Sequence, residues 1–223
     1  FVAATAVERR EYGWCGFTIP ALEQSGGKGD GRIDSQEAGR ARPVPVLSVA
    51  HLLHGFNVKD SGASTTDRLI PYLERLGYAT RQHDYGYKFL LGTWYSNPVI
   101  AKQVAGWVKG VDIGVGHSNG CAILSRVAEF CAPITGLIFI NPALDNDWIA
   151  PPQVQWIRVF HSSNDAAVEV ARFIPFVRWG DMGRVGFKGN DARYTNISIA
   201  PYTHSEFFKH VGLWSATLMP NRE

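Results

Sequence analysis

The sequence predicts an α/β fold in which a mostly parallel central sheet of about six strands is flanked by helices. From Val44 onward, apolar extended runs alternate with amphipathic helical stretches, which is the pattern of a parallel sheet. The apolar run 111–115 leads directly into Gly116-His117-Ser118-Asn119-Gly120, and a helical pattern follows. The chain of 223 residues is long enough for one well-buried core and short for two.

The predicted elements follow one another along the chain. Strands are expected at 44–53, 78–85, 111–115, 134–141, 154–160 and 195–200. Helices are expected at 66–77, at 97–108 with an Asn97-Pro98 start, at 121–130, and from Ser205 to Leu218. Residues 1–43 do not fit this alternation. The prediction is therefore an N-terminal extension at 1–43 and a single α/β domain at 44–223.

The extension contains one motif that resembles part of a metal site. The segment from Asp30 to Glu37 matches the second half of an EF-hand calcium loop. The two leading ligand positions would be Gly26 and Lys28, so a divalent cation would lack ligands and meet a positive charge. A solvated turn is the favoured interpretation, and no metal or other cofactor is expected.

The composition argues against nucleic acid as a partner and against a membrane-spanning segment, and it bears on the cellular compartment. The net charge is +2 with no dense basic run, so the electrostatic signature of a nucleic-acid binder is missing. No run approaches the roughly 18 apolar residues of a membrane span. The three cysteines, Cys15, Cys121 and Cys131, are too few and odd in number for a disulfide framework, which favours a reducing, cytoplasmic compartment. Small molecules or lipids are the expected partners, and the oligomeric state is left open.

The segment 116–120 predicts a nucleophile elbow, a sharp turn from strand to helix that presents a serine. The residues two before and two after the serine must be small so that strand and helix can approach, and Gly116 and Gly120 meet this need. The turn also places Ser118 at a helix N-terminus, where the helix dipole and free N–H groups favour developing negative charge. The predicted chemistry is acyl transfer by Ser118.

An elbow serine is a weak nucleophile unless a histidine takes its proton. Only His204 and His210 of the seven histidines follow the last predicted strand. His204 lies in the short loop before the terminal helix, whereas His210 is expected in the middle of that helix. A loop at the carboxyl end of a strand is where the base must lie to reach the elbow, so His204 is the candidate.

The base in turn needs a carboxylate that holds its tautomer and stabilises the imidazolium. The leading candidate is Asp165, in the turn that follows the strand 154–160. Asp165 is equally suited to an Asx turn or to capping the next helix. Asp145 and Asp147, after the preceding strand, are the alternatives.

A tetrahedral intermediate requires two N–H donors for its oxygen. One is expected from Asn119, the residue after the nucleophile. The other is expected from the loop His54-Gly55-Phe56-Asn57, with the Phe56 N–H as donor, because Gly55 lets the backbone come close to the oxyanion.

In this order and on these elements, His54-Gly55-Phe56, the segment 116–120, Asp165 and His204 resemble the α/β-hydrolase superfamily over residues 44–223. The resemblance implies the roles given above: nucleophile Ser118, acid Asp165, base His204, and oxyanion donors Phe56 and Asn119. It also implies an esterase-like or lipase-like enzyme. The segment 141–154 is too short for the usual inserted lid domain, so loops such as 91–97 or 173–190 are expected to cover the site.

We therefore predict a serine hydrolase that cleaves carboxylic esters; amide or thioester cleavage would use the same residues. One alternative is a non-catalytic binding or structural module of the same fold. Another is a metal-dependent hydrolase built on residues 161–165, which the lack of an H-E-x-x-H spacing disfavours. Several aromatic residues fall in connections that could line a cleft for an apolar acyl or aryl group, although core or rim packing would explain each of them. These are Trp94, Tyr95, Trp148, Phe173, Phe176 and Trp179.

Overall fold

The computed structural model describes residues 48–87, 90–130, 132–171 and 179–220. The predicted extension at 1–43, its EF-hand-like segment from Asp30 to Glu37, and the start of the first predicted strand at 44–47 lie outside these residues. Cys15, Cys131, Phe173 and Phe176 lie outside them too. The two-part division of the chain at residue 43 stays a prediction.

The centre of the fold is a six-stranded sheet in which every neighbouring pair is parallel. Its order, β2-β1-β3-β4-β5-β6, reverses direction between β1 and β3, which makes the carboxyl ends of these two strands the switch point of the sheet. The predicted parallel sheet of about six strands is confirmed. The strands are β1 (Val49–Leu53), β2 (Ala79–Gln82), β3 (Asp112–His117), β4 (Ile134–Ile140), β5 (Trp156–His161) and β6 (Tyr194–Ser198).

Helices flank the sheet, and the strand-to-helix connection at 117–119 is the sharpest of these joins. A 3-10 turn at Thr66–Leu69 runs into the first α-helix, and two further 3-10 turns at Glu206–Lys209 and Ser215–Thr217 enclose the last one. The α-helices are α1 (Ile70–Arg75), α2 (Leu90–Ala105), α3 (Asn119–Glu129), α4 (Ala166–Ala171), α5 (Met182–Val185) and α6 (Val211–Trp214).

The two faces of the sheet carry separate apolar clusters, as the two-residue period of a strand requires. In β4, Leu137 and Phe139 belong to the cluster under α2 and α3, whereas Ile138 and Ile140 belong to the cluster under α1 and the C-terminal segment. All four side chains are fully buried. Because both faces are covered, the sequence of β4 is a continuous apolar run, and β3, which leads into Ser118, lies between β1 and β4.

The second helix differs from its prediction. It begins at Leu90 and contains Pro98 in its interior, so Asn97-Pro98 does not open it, and residues 91–97 are helix and not a covering loop. An interior proline costs a helix about 3 kcal/mol. The buried positions Thr93, Asn97, Ile100 and Val104 recur at helical spacing on both sides of the proline, so packing of this face outweighs the local cost.

The C-terminal segment also differs from its prediction. The single helix expected from Ser205 to Leu218 is instead a short α-helix, α6, between two 3-10 turns. Aromatic and β-branched residues and Gly212 dominate this segment, and these are weak helix formers. Burial of Phe207, Phe208 and Leu218 against the sheet fixes its path.

Candidate active site

Ser118 lies at the turn between β3 and α3 with φ 52° and ψ −120°, a backbone conformation that is costly for any residue with a side chain. Such strain amounts to about 1–3 kcal/mol and persists only where its surroundings enforce it. Backbone hydrogen bonds do so here: the Ser118 N–H donates to the Ile140 carbonyl (3.0 Å), while its own carbonyl accepts from Cys121 (3.0 Å) and Ala143 (3.2 Å). The neighbouring strand β4 and the loop after it thus hold the serine in place.

The two glycines of the elbow are required by close backbone approach. A Cβ atom on Gly116 would lie 2.8 Å from the backbone nitrogen of Cys121, at the start of α3. A Cβ on Gly120 would overlap the carbonyl oxygen of Leu53, and lie 2.6 Å from that of His54. Gly120 therefore lets α3 start directly against the end of β1, as the elbow interpretation predicts.

His204 and Asp165 lie together at the carboxyl end of the sheet. The Nδ1 atom of His204 is 2.8 Å from Oδ2 of Asp165, and the Asp165 side chain is fully buried. The other carboxylate oxygen accepts the Val168 N–H at 3.0 Å, so Asp165 also caps α4, the alternative role foreseen for it. A carboxylate accepts only, so His204 Nδ1 is the donor in this hydrogen bond, and Nε2 is the ring nitrogen that does not face Asp165.

The backbone of His204 is held by two side chains that the sequence did not single out for this purpose. Its carbonyl oxygen accepts hydrogen bonds from His117 Nε2 (3.1 Å) and from Asn141 Nδ2 (3.0 Å). Asn141, at the carboxyl end of β4, has φ 45°, a left-handed conformation that asparagine tolerates better than most residues. The contacts span 63 and 87 positions in sequence, so no local pattern signals them.

His117 connects the neighbourhoods of Ser118 and His204, because it precedes Ser118 and its ring centroid lies 4.7 Å from that of His204. Burial, reinforced by His204, lowers the pKa of His117 well below its usual value, so the ring is neutral. The Ser118 hydroxyl is buried and has no hydrogen-bond partner among the residues that the structure describes, His204 included. No hydrogen bond joins the Ser118 hydroxyl to His204 in this structure.

The predicted oxyanion donors, Phe56 and Asn119, belong to two segments that adjoin Ser118. Gly55 is so close that a Cβ on it would lie 3.2 Å from the Cβ of Ser118, which brings the loop after β1 against the serine. Phe56 follows in this loop and packs edge-on against the ring of Trp179 (4.9 Å). Asn119 is the first residue of α3, so its backbone N–H has no acceptor within the helix.

The alternative candidates lie elsewhere or in other roles. Asp145 is grouped with Asp147 and Asp181, and burial together with these carboxylates raises the pKa of Asp145. His210 stacks on Tyr202 (4.6 Å). Within the described ranges, no group of three or more histidine, cysteine, aspartate or glutamate side chains is arranged to hold a metal ion.

The aromatic residues proposed to line a cleft are divided among several environments. Trp179 is buried beside Phe56, which lies in the loop after β1. Tyr95 is 73% exposed on α2, and Trp148 packs against Phe139 of the core (5.9 Å). The side chain of Trp94 lies outside the described part of the structure. Among the described helices, none has the length and apolar character to cross a membrane.

No family model and no curated protein matches this chain. Solved structures do match it. The pyrethroid hydrolase PytH superposes with a TM-score of 0.51 at 15% identity, covering 77% of this chain and 95% of that one. An esterase of Pyrococcus furiosus gives 0.51 at 10% identity, over 76% and 80% of the two chains. The mouse alpha/beta hydrolase domain-containing protein 10 gives 0.50 at 14% identity, over 76% and 87%. At these identities the likeness establishes the fold: this chain has the fold of the α/β-hydrolase superfamily.

Proposed function

We propose that the protein is a serine hydrolase that cleaves carboxylic esters through an acyl-enzyme on Ser118. The observation that carries the proposal is the His204–Asp165 hydrogen bond, in which Nδ1 lies 2.8 Å from a buried carboxylate, at the same end of the sheet as the strained Ser118. This combination supplies a nucleophile, a base and a group that orients the base. The fold shared with a pyrethroid hydrolase and an esterase supports hydrolase chemistry.

In the proposed reaction, His204 Nε2 takes the proton of Ser118 Oγ as the oxygen attacks the ester carbonyl. The carbonyl oxygen becomes negatively charged and is stabilised by the backbone N–H groups of Phe56 and Asn119 and by the N-terminal end of α3. The imidazolium of His204, stabilised by Asp165, then donates its proton to the leaving alkoxide. An ester bond has broken, and the acyl group is carried on Ser118.

The second half of the reaction repeats these steps with water. His204 takes a proton from water as it attacks the acyl-enzyme, and the same two N–H groups stabilise the second tetrahedral intermediate. Collapse of that intermediate returns the proton to Ser118 Oγ and releases the carboxylic acid. No cofactor enters this scheme, so activity is expected to be unaffected by a chelator such as EDTA.

The proposal is tested with p-nitrophenyl acetate and p-nitrophenyl butyrate under stopped-flow conditions. We expect a burst of nitrophenolate equal to the enzyme concentration, and an acylated Ser118 in protein quenched during turnover. Ser118→Ala should lose both signals, and the matched variant Ser125→Ala, in the interior of α3, should keep them. A folded wild-type protein without a burst or an acyl adduct would contradict the proposal and favour the non-catalytic binding module. Activity lost on chelation would favour the metal-dependent alternative.

A further inference from the structure

Tyr85, which follows β2, hydrogen-bonds the backbone of the loop that carries Phe56. The Tyr85 hydroxyl lies 2.5 Å from the His54 carbonyl oxygen and 2.9 Å from the Gly55 carbonyl oxygen. The Tyr85 ring also stacks on the ring of His54, with centroids 4.2 Å apart. Burial raises the pKa of Tyr85, so the hydroxyl keeps its proton and acts as a donor to these carbonyls.

A second donor acts on the same carbonyl group. His54 Nδ1 lies 2.7 Å from the Gly55 oxygen, which therefore accepts from both His54 and Tyr85. That oxygen belongs to the peptide unit joining Gly55 to Phe56. A trans peptide is planar, with its C=O and N–H pointing in opposite directions. Holding the Gly55 carbonyl on the Tyr85 side therefore turns the Phe56 N–H to the opposite side.

The other proposed oxyanion donor is linked to the same hydroxyl group. The Asn119 side chain also reaches the Tyr85 hydroxyl, and this interaction lowers the pKa of Tyr85 against the larger, raising effect of burial. The same side chain exchanges two hydrogen bonds with Asn97 of α2, at 2.8 Å and 3.1 Å. Since the Tyr85 proton is used by the loop carbonyls, the Asn119 amide is the donor to Tyr85, and its second N–H serves Asn97. The amides of Asn97 and Asn119 are both buried.

We propose that Tyr85 is a positioning residue for the oxyanion hole. Tyr85 links the Gly55–Phe56 peptide to Asn119 and so sets the distance between the two N–H donors. Tyr85 does not touch the reacting atoms in this role. The inference rests on the proposed function, since it assigns an architecture to the same site. It explains why a partly buried tyrosine, two buried asparagines and a buried histidine lie together beside Ser118, where apolar packing would be simpler.

The test compares Tyr85→Phe with Tyr194→Phe. Phenylalanine keeps the ring that stacks on His54 and removes only the hydroxyl. Tyr194 is a matched control because its hydroxyl also bonds backbone groups, donating to Trp148 (2.7 Å) and accepting from Ala150 (3.1 Å). It lies at the start of β6, an edge strand that β4 and β5 separate from β3 and Ser118. Both variants lose a partly buried hydroxyl, but only Tyr85→Phe loses the hydrogen bonds to the loop that carries Phe56.

Two readouts separate positioning from a general loss of structure. The first is kcat and KM for p-nitrophenyl acetate. The second is the affinity for an aliphatic trifluoromethyl ketone, whose adduct with the serine places an oxyanion where the intermediate has one. We expect Tyr85→Phe to lower kcat by about 10- to 100-fold with KM changed less than about twofold, because an oxyanion donor acts on the transition state. Ketone affinity should fall by the same factor, and Tyr194→Phe should change neither.

Asn97→Ala gives a second, independent perturbation that leaves the His54–Tyr85 stack in place. It should also lower kcat, and its effect should be less than additive with Tyr85→Phe if both act through one network. If the wild type is active, either of two results overturns the inference. The first is a Tyr85→Phe variant whose kcat and ketone affinity lie within twofold of the wild-type values. The second is a Tyr194→Phe variant that loses as much kcat and ketone affinity as Tyr85→Phe. Absence of hydrolysis in the folded wild type would instead overturn the proposed function, and the inference with it.

Discussion

A single hydrogen bond joins His204 to Asp165: the Nδ1–H of the imidazole donates to a carboxylate oxygen 2.8 Å away. The carboxylate is fully buried, whereas the histidine side chain is 19% exposed. The bond therefore orients the imidazole from its buried side and leaves Nε2 on the side that solvent reaches. This asymmetry is what a base needs if it is to exchange protons with a substrate and with water.

Asp165→Asn is expected to lower kcat by about 10³- to 10⁴-fold, because an amide facing Nδ1 can favour the wrong tautomer of His204. Asparagine can still accept the Val168 N–H, so the melting temperature should change little. The control is Asp145→Asn, which alters the alternative carboxylate. The kcat values of the two variants for p-nitrophenyl acetate show whether Asp165 or Asp145 acts as the acid. A loss confined to the Asp145 variant would reverse the assignment of the acid.

Asn141→Gly is expected to lower kcat by about 5- to 10-fold, because it removes one of the two donors to the His204 carbonyl. Glycine adopts the positive φ of this position without strain, so the effect of the lost amide is isolated. The His117 hydrogen bond remains, and folding should be retained with a loss of about 1 kcal/mol in the free energy of unfolding. Unchanged kcat in this variant would show that the Asn141 contact does not position the base.

Gly120→Ala is expected to reduce the free energy of unfolding by about 3 kcal/mol or more, because the added methyl group overlaps the backbone of Leu53. Gly92→Ala is the matched control, since Gly92 is exposed within α2 and a Cβ there meets nothing within 4 Å. It should stabilise the protein by about 0.5–1 kcal/mol. Urea denaturation of both variants measures the difference. Equal stabilities would contradict the close approach of α3 to β1.

Acid is expected to destabilise the protein through the buried His51 and the partly buried His83, which lie in contact on β1 and directly after β2. His51 Nε2 lies 3.0 Å from Asp112, and His51 Nδ1 lies 2.8 Å from His83 Nε2. Burial, with the nearby His51 and Arg81, lowers the pKa of His83 to about 4 from 6.5. A lowered histidine pKa means that the unfolded chain binds the proton first, so this stability is present above pH 6.5 and is lost as the pH falls towards about 4.

The free energy of unfolding, measured in urea at pH 7 and pH 4.5, tests this histidine effect. The wild type should lose stability between the two values, and His83→Asn should lose less because one titrating group is gone. Burial also lowers the pKa of His51, which contributes in the same direction and remains in the variant. An equal loss in both proteins would show that His83 is not responsible.

Local sequence patterns were sufficient to predict the features that backbone geometry constrains closely, such as the glycines beside Ser118 and the parallel sheet. The sequence required small residues at Gly116 and Gly120, and a Cβ at either position would meet backbone atoms of the structure. The parallel order of the sheet follows from the alternation of strands and helices. Asp165 could be selected because the turn after a strand near the sheet's carboxyl edge is close to the elbow, and it pairs with His204.

Long-range contacts account for what the sequence did not reveal. Pro98 suggested a helix start, and only the buried face of α2 shows why the helix continues through it. Tyr85 and Asn141 donate hydrogen bonds to backbone carbonyls that lie 30 and 63 positions away in sequence. No local sequence pattern therefore indicates either contact. His117 was assigned no role beyond its place in the elbow, yet it contacts the carbonyl of His204.

Labelling with a fluorophosphonate probe, followed by peptide mass spectrometry, tests the central claim most directly because the probe reacts with activated serines. The wild type, Ser118→Ala, His204→Ala and the control Ser125→Ala would be compared after confirming that each is folded. The proposed mechanism predicts label on Ser118 in the wild type and in Ser125→Ala, and none in the other two. A folded wild type without label, or label that persists in His204→Ala at the wild-type rate, would contradict the nucleophile and base assigned to this fold.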